Sequence, residues 1–130
     1  MAHSISQEHI GIIEGVLQKE LMPLGLQTAI LIDQAGNILV KMDNGGAELD
    51  LYSLAALAAG NFGAVSMIAE LIGEKEFSLL FNKGVKENLN LSKFFEDFLL
   101  ITVFGHDTTL GMLRLRIAGA TQKLKTILER

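Results

Sequence analysis

The feature that most constrains this chain is a stretch of nineteen residues, 51–69, which carries no charged side chain and is rich in alanine and glycine. A helix of roughly 20 residues is long enough to cross a membrane. Small and polar residues make transfer of this one into lipid only weakly favourable, and no basic flank orients it, so we expect no membrane insertion. A soluble helix normally places charges opposite its buried side. The lack of charge before Glu70 therefore predicts that both sides of this helix are covered.

Length, charge and cysteine content narrow the class of protein. The chain has 130 residues, which suits a single domain over residues 1–130. Its net charge of −4 argues against nucleic acid and anionic membrane surfaces as partners. It contains no cysteine, and its first residues lack a signal pattern, so we expect a cytoplasmic protein.

The apolar patterns along the chain predict three helices and five strands. Helices are predicted over residues 4–21, from 51 to about 73, and after 108, and strands over residues 26–33, 38–42, 76–82, 88–92 and 98–104. Hairpin-linked strands with interleaved helices indicate an α+β fold, an α/β/α sandwich built on one mainly antiparallel sheet. The unbroken apolar run at 98–104 predicts a central strand, whereas the strict alternation at 88–92 predicts a strand with one wet face.

The sequence offers no catalytic, cofactor or metal constellation. The histidines His3, His9 and His106 are not at ligand spacing, and there is neither a phosphate-loop motif nor a G-x-S-x-G motif. The acidic residues around the end of the long helix, Glu70, Glu74 and Glu76, are interpreted as a solvated charge cluster. We expect no enzymatic activity, no cofactor and no metal.

The long helix separates two kinds of side chain when it is drawn at 3.6 residues per turn. Gly60 and Gly63 each cost roughly 1 kcal/mol relative to alanine in a helix, which indicates that something lies against the backbone there. Since the chain has no further helix or strand to cover this small-residue strip of the helix, a second polypeptide is predicted to cover it. The alternative is that the chain's own fold covers both sides and that alanine serves helix propensity. The stripe predicted to lie on the sheet is Leu51, Leu54, Leu57, Val65, Ile68 and Ile72, and the small-residue strip is Ala55, Ala56, Ala59, Gly60, Gly63 and Ala64.

Four segments, in this order and spacing, resemble the Roadblock domain family, and within it the bacterial MglB-like regulators of small Ras-like GTPases. The segments are LGLQTAILIDQAGNIL, LAALAAGNFGAVSMIAELIGE, EFSLLFNKG and TTLGMLRLRI, and the resemblance covers residues 6–128. It implies a five-stranded antiparallel sheet with the first and last helices on one face and the middle helix on the other. It also implies a homodimer formed through the middle helix and a neighbouring edge strand, with the GTPase bound on the paired helices.

The resemblance further implies a GTPase-activating partner that repositions the catalytic residues of the GTPase instead of inserting an arginine. Arg114 and Arg116 could be taken for arginine fingers, but their place in the last helix favours a structural or solvent-facing role. The dimer and GTPase interface is expected at Ala55, Ala56, Ala59, Gly60, Gly63, Ala64 and Met67, and the dimer edge strand at Phe77, Ser78, Leu79, Leu80 and Phe81.

Two alternatives stay open. One is a scaffold of the same fold that docks a GTPase without changing its rate. The other is a small-ligand sensor, which would need a cavity with convergent polar groups, and the sequence offers no obvious set. MglB-like proteins often extend beyond the last helix to make a second GTPase contact. This sequence stops at Arg130, which puts a nucleotide-exchange role in doubt.

Overall fold

Five strands form one sheet, and helices lie on both of its faces. The computed structural model describes residues 6–44, 49–74, 79–94 and 98–128. The predicted sites His3, Glu76, Phe77 and Ser78 lie outside these residues. The elements are α1 (Gln7–Leu21), a short 3₁₀ helix (Met22–Leu24), β1 (Thr28–Asp33), β2 (Ile38–Asp43), α2 (Leu51–Leu71), β3 (Leu79–Lys83), β4 (Asn88–Phe94), β5 (Phe98–Phe104) and α3 (Leu110–Leu128).

The sheet has the strand order β2-β1-β5-β4-β3, and neighbouring strands are antiparallel. Every residue of β5 is buried, so the prediction of a central strand covered on both faces is confirmed. The strands β2 and β3 form the two edges of the sheet. The predicted α+β sandwich is confirmed, with the order of helices and strands that the sequence indicated.

Two separate apolar cores hold the helices on the sheet. On one face, α1 and α3 bury their apolar stripes against side chains such as Leu31, Leu100 and Phe104. On the other face, α2 packs against side chains that include Ile30 and Ile101. Full burial of each large aliphatic side chain contributes about 1.5–3 kcal/mol, so both faces of the sheet stabilise the fold.

The turn between β1 and β2 fits closely against α2. Asp33 Oδ1 accepts hydrogen bonds from Ala35 N (3.0 Å) and Asn37 N (2.8 Å), and Asp33 Oδ2 accepts one from Asn37 Nδ2 (2.9 Å). Partial burial raises the pKa of the Asp33 carboxyl, but these bonds outweigh it and hold the pKa below its ordinary value. Gly36 adopts a φ of +92°, and a Cβ at this position would lie 3.2 Å from Ala56 Cα. The turn therefore requires glycine at position 36.

The prediction that β4 has one wet face is wrong. Its polar residues Asn88, Asn90 and Ser92 point to the face that carries α1 and α3, and all three are buried. The alternation does mark a strand, but β4 lies second from the edge of the sheet. Aromatic side chains from both neighbouring strands reach over it, since the rings of Phe81 and Phe104 stack with their centroids 6.2 Å apart.

Candidate protein-interaction surface

The helix α2 has well-defined ends. The Asp50 carboxylate precedes it and accepts hydrogen bonds from Ser53 N (3.1 Å) and Ser53 Oγ (2.6 Å), which hold the pKa of Asp50 below its ordinary value. At the other end, Gly73 has a φ of +85° and Glu74 N donates to Ala69 O at 2.8 Å. This Schellman arrangement stops the helix. Local signals at both ends thus set the length of α2.

Small side chains let α2 approach the sheet closely. Ala55 and Ala69 are fully buried, and Phe62, midway between them along the same face, is buried as well. The predicted small-residue strip is therefore wrong at Ala55, which faces the sheet. The residues buried on this side are Leu51, Ala55, Ala58, Phe62 and Ala69.

The predicted sheet-facing stripe is wrong at three of its large residues. Leu57 is 73% exposed, and Ile68 and Ile72 are also exposed. Leu51 is buried as predicted, and Leu54 packs partly buried at the same core. Ala58, Phe62 and Ala69 are buried against the sheet instead. With Leu51 they follow the spacing of one helix face. The sequence did not single out this face, because an uncharged helix offers many apolar positions of similar character.

The opposite side of α2 is open. Ala56, Gly60, Gly63 and Ala64 are exposed. Ala59, which was predicted in the same strip, is half-buried and packs at the edge of the α2 core. A Cβ added at Gly60 or at Gly63 would meet no other atom within 4 Å. The alternative that the chain's own fold covers both sides of this helix is therefore wrong for the part of the chain that the structure describes.

Large apolar residues lie at both ends of this open side, and small ones lie in its middle. Tyr52 and Leu57 are exposed in the first half of the helix, and the exposed side chain of Met67 begins the second cluster. Leu71, near the last turn, is 85% exposed. Apolar patches of this extent usually mark interaction sites. We call this surface the open face of α2. It consists of Tyr52, Ala56, Leu57, Gly60, Gly63, Ala64, Met67, Ile68, Leu71 and Ile72.

The edge strand β3 completes the candidate surface. One side of β3 pairs with β4, and its other side has no strand partner among the described residues. Leu80 packs partly buried at the α2 core, whereas Phe81 points to the opposite face and stacks on Phe104. Phe81 can therefore contribute its backbone to a contact along this edge, but its ring belongs to the α1 and α3 side. For Leu79 the structure describes the backbone only.

The remaining candidate groups lie away from the open face of α2. Arg114 and Arg116 are exposed on α3, on the other face of the sheet. The ring of His106 is hydrogen bonded to the carbonyl of Val85, with Nε2 and O 2.6 Å apart. No group of three or more acidic, histidine or cysteine side chains within the described ranges could hold a metal ion. Of the described helices, α2 has the length and composition that could span a membrane, and one side of it is packed on the sheet.

Comparison with known proteins gives solved structures as matches. The chain is 31% identical to MglB from Myxococcus xanthus, with a TM-score of 0.85, 98% of this chain and 95% of that chain covered. It is 30% identical to the gliding protein MglB from Thermus thermophilus, with a TM-score of 0.83 and coverages of 96% and 94%. A Roadblock/LC7 domain from Streptomyces avermitilis shares the fold at 16% identity, with a TM-score of 0.71 and coverages of 88% and 98%.

No protein-family model and no curated protein matches the sequence. The resemblance to solved structures nevertheless extends over almost the whole chain at an identity that shows common descent. The open helix face and the free sheet edge lie within the matched part. The chain belongs to the MglB family of Roadblock-domain regulators.

Proposed function

We propose that this chain is a homodimeric regulator that binds a small Ras-like GTPase in the cytoplasm and stimulates GTP hydrolysis in trans. The observation that carries the proposal is the open face of α2, which is apolar, uncharged before Glu70 and uncovered by the described part of the chain. Covering such a face removes apolar surface from water, and each Å² contributes about 25 cal/mol. The described elements of the chain leave that surface to a partner.

The arrangement of side chains on α2 favours a second copy of the same helix as one partner. Small residues at Gly60, Gly63 and Ala64 allow two backbones to cross closely. The large side chains at both ends, such as Leu57 and Leu71, would then pack around the crossing point. A two-fold axis brings the same patch of each copy together, and the free edge of β3 could extend the sheet across the pair.

A GTPase would dock on the surface that the paired helices leave open. The helix α2 carries no arginine or lysine that could enter a nucleotide site, and the exposed arginines of α3 lie on the other side of the sheet. This supports activation by positioning the catalytic groups of the GTPase itself. Correct placement of reacting groups is by itself a large contribution to rate.

The test is single-turnover phosphate release from a GTP-loaded small Ras-like GTPase of the same genome, with and without this protein. We expect hydrolysis to accelerate by about 10-fold or more, a barrier change of about 1.4 kcal/mol. Gly63→Arg should abolish the acceleration, because the long side chain would block close approach at the open face.

The matched control for that variant is Gly15→Arg, which places the same side chain at an open position of α1 on the opposite face. It should retain full stimulation. Binding of the GTPase without any acceleration would instead favour a non-activating scaffold of the same fold. No binding by the wild-type protein would contradict both functions.

A further inference from the structure

The helix α3 concentrates positive charge on an acidic protein. The chain has 15 acidic and 11 basic residues, yet α3 carries four basic residues and no acidic one. All four basic side chains are exposed, and α3 packs on the face of the sheet opposite α2. The proposed GTPase regulation therefore does not use them. They are Arg114, Arg116, Lys123 and Lys125.

The chain itself neutralises this charge only on the side of α3 that adjoins α1. Lys123 Nζ donates to Glu20 Oε2 of α1 at 2.6 Å. This hydrogen bond, aided by the positive charges of Lys123 and Arg116, holds the pKa of Glu20 below its ordinary value. Arg114 and Lys125 have no ion pair within the described ranges. Three helix turns separate these two cations, so they lie on one side of α3, about 16 Å apart along its axis.

Apolar side chains are exposed between the cations. Leu115 is 66% exposed, and Met112, on the preceding turn, is 44% exposed. Successive residues of a helix are about 100° apart around its axis, so Arg114 and Arg116 project to either side of Leu115. We call this surface the outer face of α3. It consists of Met112, Arg114, Leu115, Arg116, Lys123 and Lys125.

The composition of the outer face of α3 indicates the chemistry of its partner. Guanidinium groups form paired hydrogen bonds with carboxylates, and they are hydrated weakly enough to be covered at an interface. Covering Leu115 also removes apolar surface from water. A segment that places carboxylates beside an apolar side chain satisfies both kinds of group.

Two other partners fit this face less well. A second copy of the chain, related by a two-fold axis, would place the same positive patch against itself, and like charges repel. An anionic bilayer binds helices that insert a broad apolar face, but the apolar stripe of α3 is buried in the core. The net charge of −4 also disfavours approach to such a bilayer.

We propose that the outer face of α3 docks an acidic segment of a different protein. Carboxylates of that segment pair with Arg114 and Lys125, and its apolar side chains cover Leu115. This docking is independent of the proposed GTPase regulation. Because the sheet lies between α3 and α2, the protein can hold the segment while the open face of α2 is occupied.

Fluorescence anisotropy with two labelled peptides tests the proposal on the full chain. Both peptides carry leucines along one side of a helix, and they differ only in having glutamate or lysine at the flanking positions. We expect the glutamate peptide to bind at least about 10-fold more tightly than the lysine peptide. Its affinity should fall as the salt rises from about 50 to 300 mM, because exposed charges are screened. Equal affinities, or no binding of the glutamate peptide, would overturn the proposal.

Charge-reversal variants locate the binding on the protein. Arg114→Glu should weaken binding of the glutamate peptide by about 10-fold or more. Lys41→Glu is the matched control, because it changes the net charge equally but lies exposed on β2, on the face that carries α2. Leu115→Glu should also remove binding, and circular dichroism checks that each variant is folded. Equal losses in Arg114→Glu and Lys41→Glu would reveal an effect of net charge alone and would also overturn the proposal.

Vesicles of phosphatidylcholine and phosphatidylserine provide the test against a membrane. We expect the protein to stay unbound when these vesicles are sedimented. Binding to the vesicles that Arg114→Glu abolishes, without binding of the glutamate peptide, would assign the outer face of α3 to anionic lipid and reject the protein partner.

Discussion

At the scale of single residues, the turn between β1 and β2 constrains its glycine in two ways. Gly36 is required twice, by its left-handed φ of +92° and by the backbone of Ala56 beside it. The sequence identifies the turn from Gln34-Ala35-Gly36-Asn37. It does not reveal that this turn touches α2, because that contact joins segments that are distant in the chain.

We expect Gly36→Ala to destabilise the protein by about 1–3 kcal/mol, because it combines backbone strain with a close contact. Gly15→Ala is the matched control. Gly15 lies inside α1 with open space at its Cβ, so alanine there should stabilise by roughly 0.5–1 kcal/mol. Urea unfolding measures both changes, and equal effects of the two substitutions would refute the contact at Gly36.

The ionisation of the Asp33 carboxyl makes the stability of the fold depend on pH. Its pKa is lower in the folded protein than its ordinary value of 3.8, so its ionised form stabilises the fold above that value. The stabilisation is lost as the pH falls through the folded-state pKa. Asp33→Asn keeps an acceptor for Ala35 N and Asn37 N but removes the ionisable group. As the pH falls below the ordinary carboxyl pKa, we expect this variant to lose less stability than the wild-type protein. An unchanged pH profile of thermal unfolding would show that this carboxyl is not linked to folding.

At the scale of elements, the sequence predicts what the helices and strands are better than which way they face. The helix and strand order follows from apolar periodicity and turn residues. Which side of α2 faces the sheet does not follow from the sequence, because almost every position of an uncharged helix has similar polarity. Its alanines serve two purposes: Ala55 brings the helix close to the sheet, whereas Ala64 lies on the open face.

This division of the alanines can be tested with one substitution at two positions. Ala55→Leu should destabilise the fold by about 1–3 kcal/mol, because the added side chain overpacks a buried contact. Ala64→Leu should leave the secondary structure and its folding intact, and should alter only association. Circular dichroism and light scattering on the two variants distinguish these effects. A larger loss of structure from Ala64→Leu would mean that the two sides are exchanged.

The sequence predicted the candidate site only in part. The resemblance to Roadblock domains points to the middle helix, and Gly60, Gly63 and Ala64 are exposed there. Met67 was expected at the interface and is exposed. The other large residues of the open face were missed, because large apolar residues are normally assigned to the core. They are Tyr52, Leu57, Ile68, Leu71 and Ile72. The burial of Asn88, Asn90 and Ser92 on β4 was missed, because alternation in a sequence reveals the two faces of a strand but not what covers each face.

At the scale of the whole molecule, the proposed dimer makes a prediction about mass. Leu71 is 85% exposed at the end of the open face, and a charge there would have to be buried against the partner. We expect Leu71→Glu to reduce the solution mass from about twice the chain mass to the 14.1 kDa of one chain. Leu115→Glu, at an exposed leucine of α3 on the other face, is the matched control and should leave the mass unchanged. A single-chain mass for the wild-type protein would contradict the dimer.

The separation of the two apolar cores by the sheet has a consequence for how such a chain can diversify. The outward-facing residues of α1 and α3 can change during evolution without disturbing the contacts of α2, since the sheet separates the two layers. New contact surfaces can thus arise on the side of α1 and α3 while the open face of α2 stays unchanged.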